Sequence, residues 1–183
     1  MSGILVSGVR QSLTEIKLES QGFLSWNFPI GDAVGGTVQA SPVVGAFAIP
    51  VRVGMRILNV HSWVTTVAAG GATTACRVAV LNAAGGQLAI SANLGGDWES
   101  TGLKTNALIT PYDVTANGEL YVALWHVNAT TAVTFARSSN ADGLNSVALS
   151  GKMLSNTRQV GQATFPATAT LVTYNTQTFV AVS

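Results

Sequence analysis

Apolar residues fall at every second position through most of this sequence, a period that fits strands and not helices. In ELYVALWHV, Leu120, Val122 and Leu124 point one way, while Tyr121, Ala123, Trp125 and Val127 point the other. Both faces are apolar, so this strand belongs at the centre of a sheet, or one of its faces meets another subunit. Arg56–Val67 differs: Leu58, Val60 and Val64 form an inward set opposite Asn59, His61 and Thr65, which gives it one wet side.

The same reading predicts strands at Phe23–Ile30, Val43–Val51, Arg56–Val67, Ala75–Leu81, Gln87–Ala92, Leu103–Ile109, Glu119–Val127, Ala132–Arg137, Ala169–Tyr174 and Thr178–Val182. Glycines at Asn82–Gly86 and the Asn117-Gly118 pair supply tight turns between them. Short strands without a long helix predict an all-β fold, a two-sheet antiparallel β-sandwich. At 183 residues the chain suits one domain, assigned to 23–183.

Residues 1–22 fit less well. Val9, Leu13 and Ile16 stand at helical spacing, whereas Ile16 and Leu18 alternate as in a strand, and Glu15, Lys17 and Glu19 concentrate charge there. These features predict an N-terminal arm making an assembly contact through Val9, Leu13, Ile16 and Leu18; an edge strand of the same domain is the other reading. Two small-residue loops, Gly31–Ser41 and Ser138–Gly151, are long enough to be functional or packed on a partner.

Charge decides how such a sandwich presents itself. Charged residues make up 9% of the chain, against roughly 25% in an ordinary soluble domain. The exterior must therefore be built from neutral hydroxyl, amide and small residues, or be partly hidden in an oligomer or lattice. The basic residues form no run, which argues against a nucleic-acid partner. No run of apolar residues is long enough to span a membrane as a helix, and MSGILVSGVR is a poor secretory signal. Cys76, the sole cysteine, lies in the apolar run ACRVAVL and reads as a buried small hydrophobe.

Reactive groups are sparse. His61 and His126 each lie within a predicted strand, and no nucleophile elbow accompanies either. Asp97 and Glu99 flank Trp98, but two acids at i and i+2 share one face of a strand, whereas glycoside hydrolysis needs carboxyls facing across a cleft. Asn140, Asp142 and Asn145 surround a glycine in NADGLN without the acids of a calcium loop, and turn chemistry accounts for them. The reading is of a non-enzyme without cofactor or metal. Trp98 and Tyr112, placed near strand ends, are candidate stacking platforms for a glycan, whereas Trp63 and Trp125 read as structural.

The order LAISANLGGDWESTGLKTNALITPYDVTANGELYVALWH, Leu88 to His126, resembles a module in tail-fibre, minor-tail and related virion proteins of phages that infect actinobacteria. In it a strand leads to a Trp and TGLKT, and a second strand reaches a Thr-Pro-Tyr break. After a glycine turn a YVAL strand enters a jelly-roll-like sandwich. Here Pro111 is expected to end the Leu103–Ile109 strand and Gly118 to start the next, building two central strands and their crossover. The resemblance implies a virion structural protein, commonly a homotrimer, on the capsid as a decoration protein or on the tail as a minor tail protein. Some such proteins touch host-surface glycans. The alternative is a carbohydrate-binding module for cell-wall glycans.

Overall fold

The computed structural model describes residues 4–6, 9–11, 22–27, 33–38, 43–67, 75–94, 96–127, 133–138, 156–160, 164–169, 172–174 and 178–183. They form the strands β1 (Ile4–Val6), β2 (Val9–Gln11), β3 (Ser25–Trp26), β4 (Ala33–Val38), β5 (Val43–Val51), β6 (Arg56–Thr66) and β7 (Ala75–Leu81). These are followed by β8 (Gln87–Ile90), β9 (Gly102–Asp113), β10 (Gly118–Val127), β11 (Thr134–Ser138), β12 (Asn156–Val160), β13 (Val172–Tyr174) and β14 (Val180–Val182). The expected all-β, two-sheet antiparallel sandwich is the fold.

One sheet runs β13-β12-β5-β10-β7-β8, and the other runs β3-β14-β6-β11-β4 with β9 also paired to β6. All pairings are antiparallel. From β4 to β7 each successive strand changes sheet, and after the β7–β8 hairpin the changes resume from β8 to β12, the crossing habit of a jelly roll. The expected arm enters neither sheet where it is described: β1 and β2, the latter containing Val9, form a separate two-stranded sheet. Leu13, Ile16 and Leu18 lie outside the described residues.

β10 is central, between β5 and β7, and its two faces serve two clusters. Leu120, Val122 and Leu124 join Ile49, Val60, Val64, Trp98 and Phe135 in the core between the sheets. Ala123 and Trp125 join Val44, Ala46, Ala79 and Leu81 on the outer face, under Phe165 and Ala169. Of the two expectations for the apolar outer face, the central position holds, and the chain covers the face itself. Gly85, at φ +83°, makes this covering possible: a side chain there would put its Cβ 2.0 Å from the Ala169 carbonyl oxygen. In the same β7–β8 turn the Asn82 side-chain oxygen accepts from the N–H groups of Ala84 and Gly86, both at 2.9 Å.

Several sequence expectations need correction. Pro111 does not end a strand. β9 continues through it to Asp113, because the β6–β9 register shifts between Ile57 and Asn59 and the missing N–H falls within that irregularity. The same irregularity turns Ile57 into the core and leaves Leu58 exposed, reversing the expected placement of Leu58. Among the described residues β9 pairs along its length with β6, and its other edge meets an isolated bridge from Leu108 to Ser91 just after β8, so it is not a central strand. Asn117-Gly118 serves a crossover between sheets: the Asn117 side-chain oxygen accepts from the Val53 N–H at 2.8 Å, tying this turn to the one joining β5 and β6. The Gly31–Ser41 loop contains β4, and β12 lies where no strand was expected.

Candidate functional site

The registers overlap at Val60–Ser62 and at Val64, which puts β9 on one edge of β6 and β14 and β11 on the other. His61 lies across this junction. Its Nδ1 is 3.1 Å from Thr105 Oγ1 on β9, its Nε2 is 2.8 Å from Ser183 Oγ after β14, and Phe23 packs edge-on against the ring. Burial holds its pKa down at about 4. A serine within reach of an imidazole invites a nucleophile reading, but the other nitrogen meets a hydroxyl where an orienting carboxylate would be needed, and so low a pKa makes a weak base at neutral pH. The constellation stitches β14 to β6 and β9, helped by a 3.2 Å bond from Asn59 Nδ2 to Ser183 Oγ.

His126 is fully buried, with Val43 and Cys76 as its cross-strand neighbours and Trp98 edge-on at 5.9 Å. Neither ring nitrogen has a hydrogen-bond partner among the described residues, and burial lowers its pKa to about 4. Trp98 itself is fully buried, with Phe135 edge-on at 5.0 Å. It presents no ring face to solvent, so the expectation of a stacking platform at Trp98 is corrected: the ring is core. It is carried inward by a 3₁₀ turn, Asp97–Glu99, between β8 and β9. Asp97 Oδ2 accepts from Asn106 Nδ2 at 2.8 Å, which anchors that turn to β9. Tyr112 is half-buried and packs against the core. Trp98 and Tyr112 therefore do not form a shared surface platform.

Cys76 is a fully buried core residue, as read from the sequence. Among the described residues no cluster of three or more His, Cys, Asp or Glu could hold a metal ion, and no helix is long and apolar enough to cross a membrane. Asn140, Asp142 and Asn145 lie outside the described residues.

The outer face of the second sheet remains. Its β14 side is sealed by Phe23, Ala136, Phe179 and Ala181, with Trp26 packed against them. Its β6–β9 side is open. Trp63 and Leu103 are direct cross-strand partners, hence on one face, and are 39% and 44% exposed. Ile109, three alternations beyond Leu103 along β9, is 64% exposed, and Leu58 lies outward at the register shift. Thr105 and Ala107 complete the outward row of β9 between Leu103 and Ile109, and this stretch carries no formal charge. The charged groups border this stretch: Arg56 and Asp113, an outward cross-strand pair beyond Ile57 and Tyr112, meet at 3.7 Å at its far end, and Lys104, of opposite parity, donates to Ser100 Oγ at 2.6 Å.

Sequence reading missed this ribbon by assigning Trp63 a structural place. The available signal was the alternate set Leu103, Thr105, Ala107 and Ile109, an outward row without a charged residue. Compared with known proteins, the chain matches no family, no curated protein and no solved structure.

Proposed function

We propose that this chain is a non-enzymatic structural protein of a bacteriophage virion. In this reading the sandwich associates as a homotrimer and attaches through residues 1–22 to the capsid surface or the tail, stabilising the particle by binding its assembled form. One observation carries the reading: a charge-poor sandwich seals most of its apolar outer surface with its own segments yet leaves a neutral apolar ribbon on β6 and β9 open. Monomers seldom expose such a stretch unless something covers it. The resemblance of residues 88–126 to virion modules supplies the setting, and the contacts proposed here need no turnover.

The test uses purified full-length chain, its mass in solution, and co-sedimentation with empty capsids and with isolated tails. The expected result is a trimer that sediments with one of the two particles, and loss of sedimentation on deletion of residues 1–22 with an unchanged circular dichroism spectrum. A chain that stays monomeric at high concentration and binds neither particle overturns the proposal.

A further inference from the structure

We infer that the open β6–β9 ribbon is where a second copy of this chain docks, with Trp63, Leu103 and Ile109 at the centre of the contact. The inference rests on the self-association proposed above and deepens it by naming the surface.

Charge complementarity selects the occupant. When copies meet around a symmetry axis, the same residues converge, so any net charge on a shared face is placed against itself. On this ribbon the outward residues of β9 are Leu103, Thr105, Ala107 and Ile109. Those of β6 are Asn59, His61 and Trp63, with His61 neutral because burial holds its pKa at about 4. Like-charge repulsion is thus absent along the strands. A charged partner would find no counter-charge between Leu103 and Ile109, whereas copies of this neutral stretch can converge on the trimer axis without like charges meeting.

The dimensions agree. The neutral stretch from Leu103 to Ile109 is about seven residues, which at ~3.4 Å per residue make a ribbon ~24 Å long, and two strands ~4.8 Å apart give it a width of ~10 Å. The resulting ~240 Å² suits the dry centre of a contact burying ~800 Å² per partner. Half of the same outer face is already closed over Phe23 and Phe179. A second copy completes that closure.

The experiment places a glutamate in the centre of the ribbon, Leu103→Glu, in the full chain. Leu103 is already partly exposed, so the fold is retained, as checked by circular dichroism and the thermal midpoint. The dissociation constant of the oligomer is expected to rise by about 100-fold or more, since repeated like charges in a closed contact cost several kcal/mol, and light scattering should then read monomer mass. If Leu103→Glu proves misfolded, Leu103→Cys with a short bismaleimide replaces it. Covalent multimers are expected there and not from Ala84→Cys on the β7–β8 turn, while buried Cys76 stays silent. An oligomer that survives Leu103→Glu intact, or that cross-links no better through Leu103→Cys than through Ala84→Cys, overturns this surface while leaving the proposed self-association standing. A wild-type chain that is monomeric overturns both.

Discussion

Acid should destabilise this fold through His126, and the size of the effect follows from its surroundings. The imidazole is sealed between β5 and β7 beside Trp98, without a protein acceptor for an added proton among the described residues. Its pKa falls from 6.5 to about 4 on folding, because burial penalises the cation. Above pH 6.5 the group is neutral in both states and has no effect. Between pH 6.5 and about 4 the unfolded chain takes up a proton that the folded chain refuses, so stability falls with falling pH by about 1.4 kcal/mol per pH unit. The full interval is worth about 3 kcal/mol, a large share of the 5–15 kcal/mol typical of a domain. His61, also held at about 4 by burial, adds a loss of the same sign that is present in both the wild type and His126→Leu. The assay is urea unfolding at fixed protein concentration from pH 7 to 4.5, for the wild type and for His126→Leu, which keeps the volume and removes the titration. The wild-type slope should exceed that of the variant by about 1.4 kcal/mol per pH unit. Parallel profiles, or a folded-state His126 resonance titrating near 6.5, would refute the reasoning.

Two further substitutions probe the same architecture. Trp98→Ala should lower stability by about 3–5 kcal/mol, read as a fall in the urea midpoint, because a fully buried ring packed on Phe135 and His126 leaves a cavity that two rigid sheets cannot close. Gly85→Ala should cost more than about 1 kcal/mol in the same assay, since its φ of +83° and the Ala169 carbonyl at 2.0 Å oppose a side chain. It should also raise the accessibility of Trp125, measured by fluorescence quenching, because Phe165 and Ala169 are held over that ring.

The local half of this fold was legible in the sequence. β5 and β7 have the bounds their alternation predicts, and β10 divides its side chains between two clusters as its parity requires. What failed was set by distant partners. Leu58 was assigned inward because alternation was carried unbroken through a register shift that only pairing with β9 creates. Pro111 looked like a stop because a missing N–H matters in a regular ladder, whereas here the ladder is already irregular. Trp98 was a candidate platform because it falls near a predicted strand end; its burial depends on a 3₁₀ turn that Asn106 anchors from β9. The open ribbon was missed for a related reason: the exposure of Trp63 depends on what lies above β6, and Phe23 covers His61 but leaves Trp63 open.

β14 lies between β3 and β6, so residues near positions 25 and 181 are direct neighbours although some 155 positions apart in the chain. Such long-range pairing carries a high loop-closure entropy and slows folding relative to hairpin-built proteins. It also means that β3 and β6 cannot share their neighbour until Val180–Val182 has been synthesised. While the chain is still growing on the ribosome, the apolar strands made first wait unpaired, and a protein so poor in charge has little electrostatic repulsion to keep nascent copies apart.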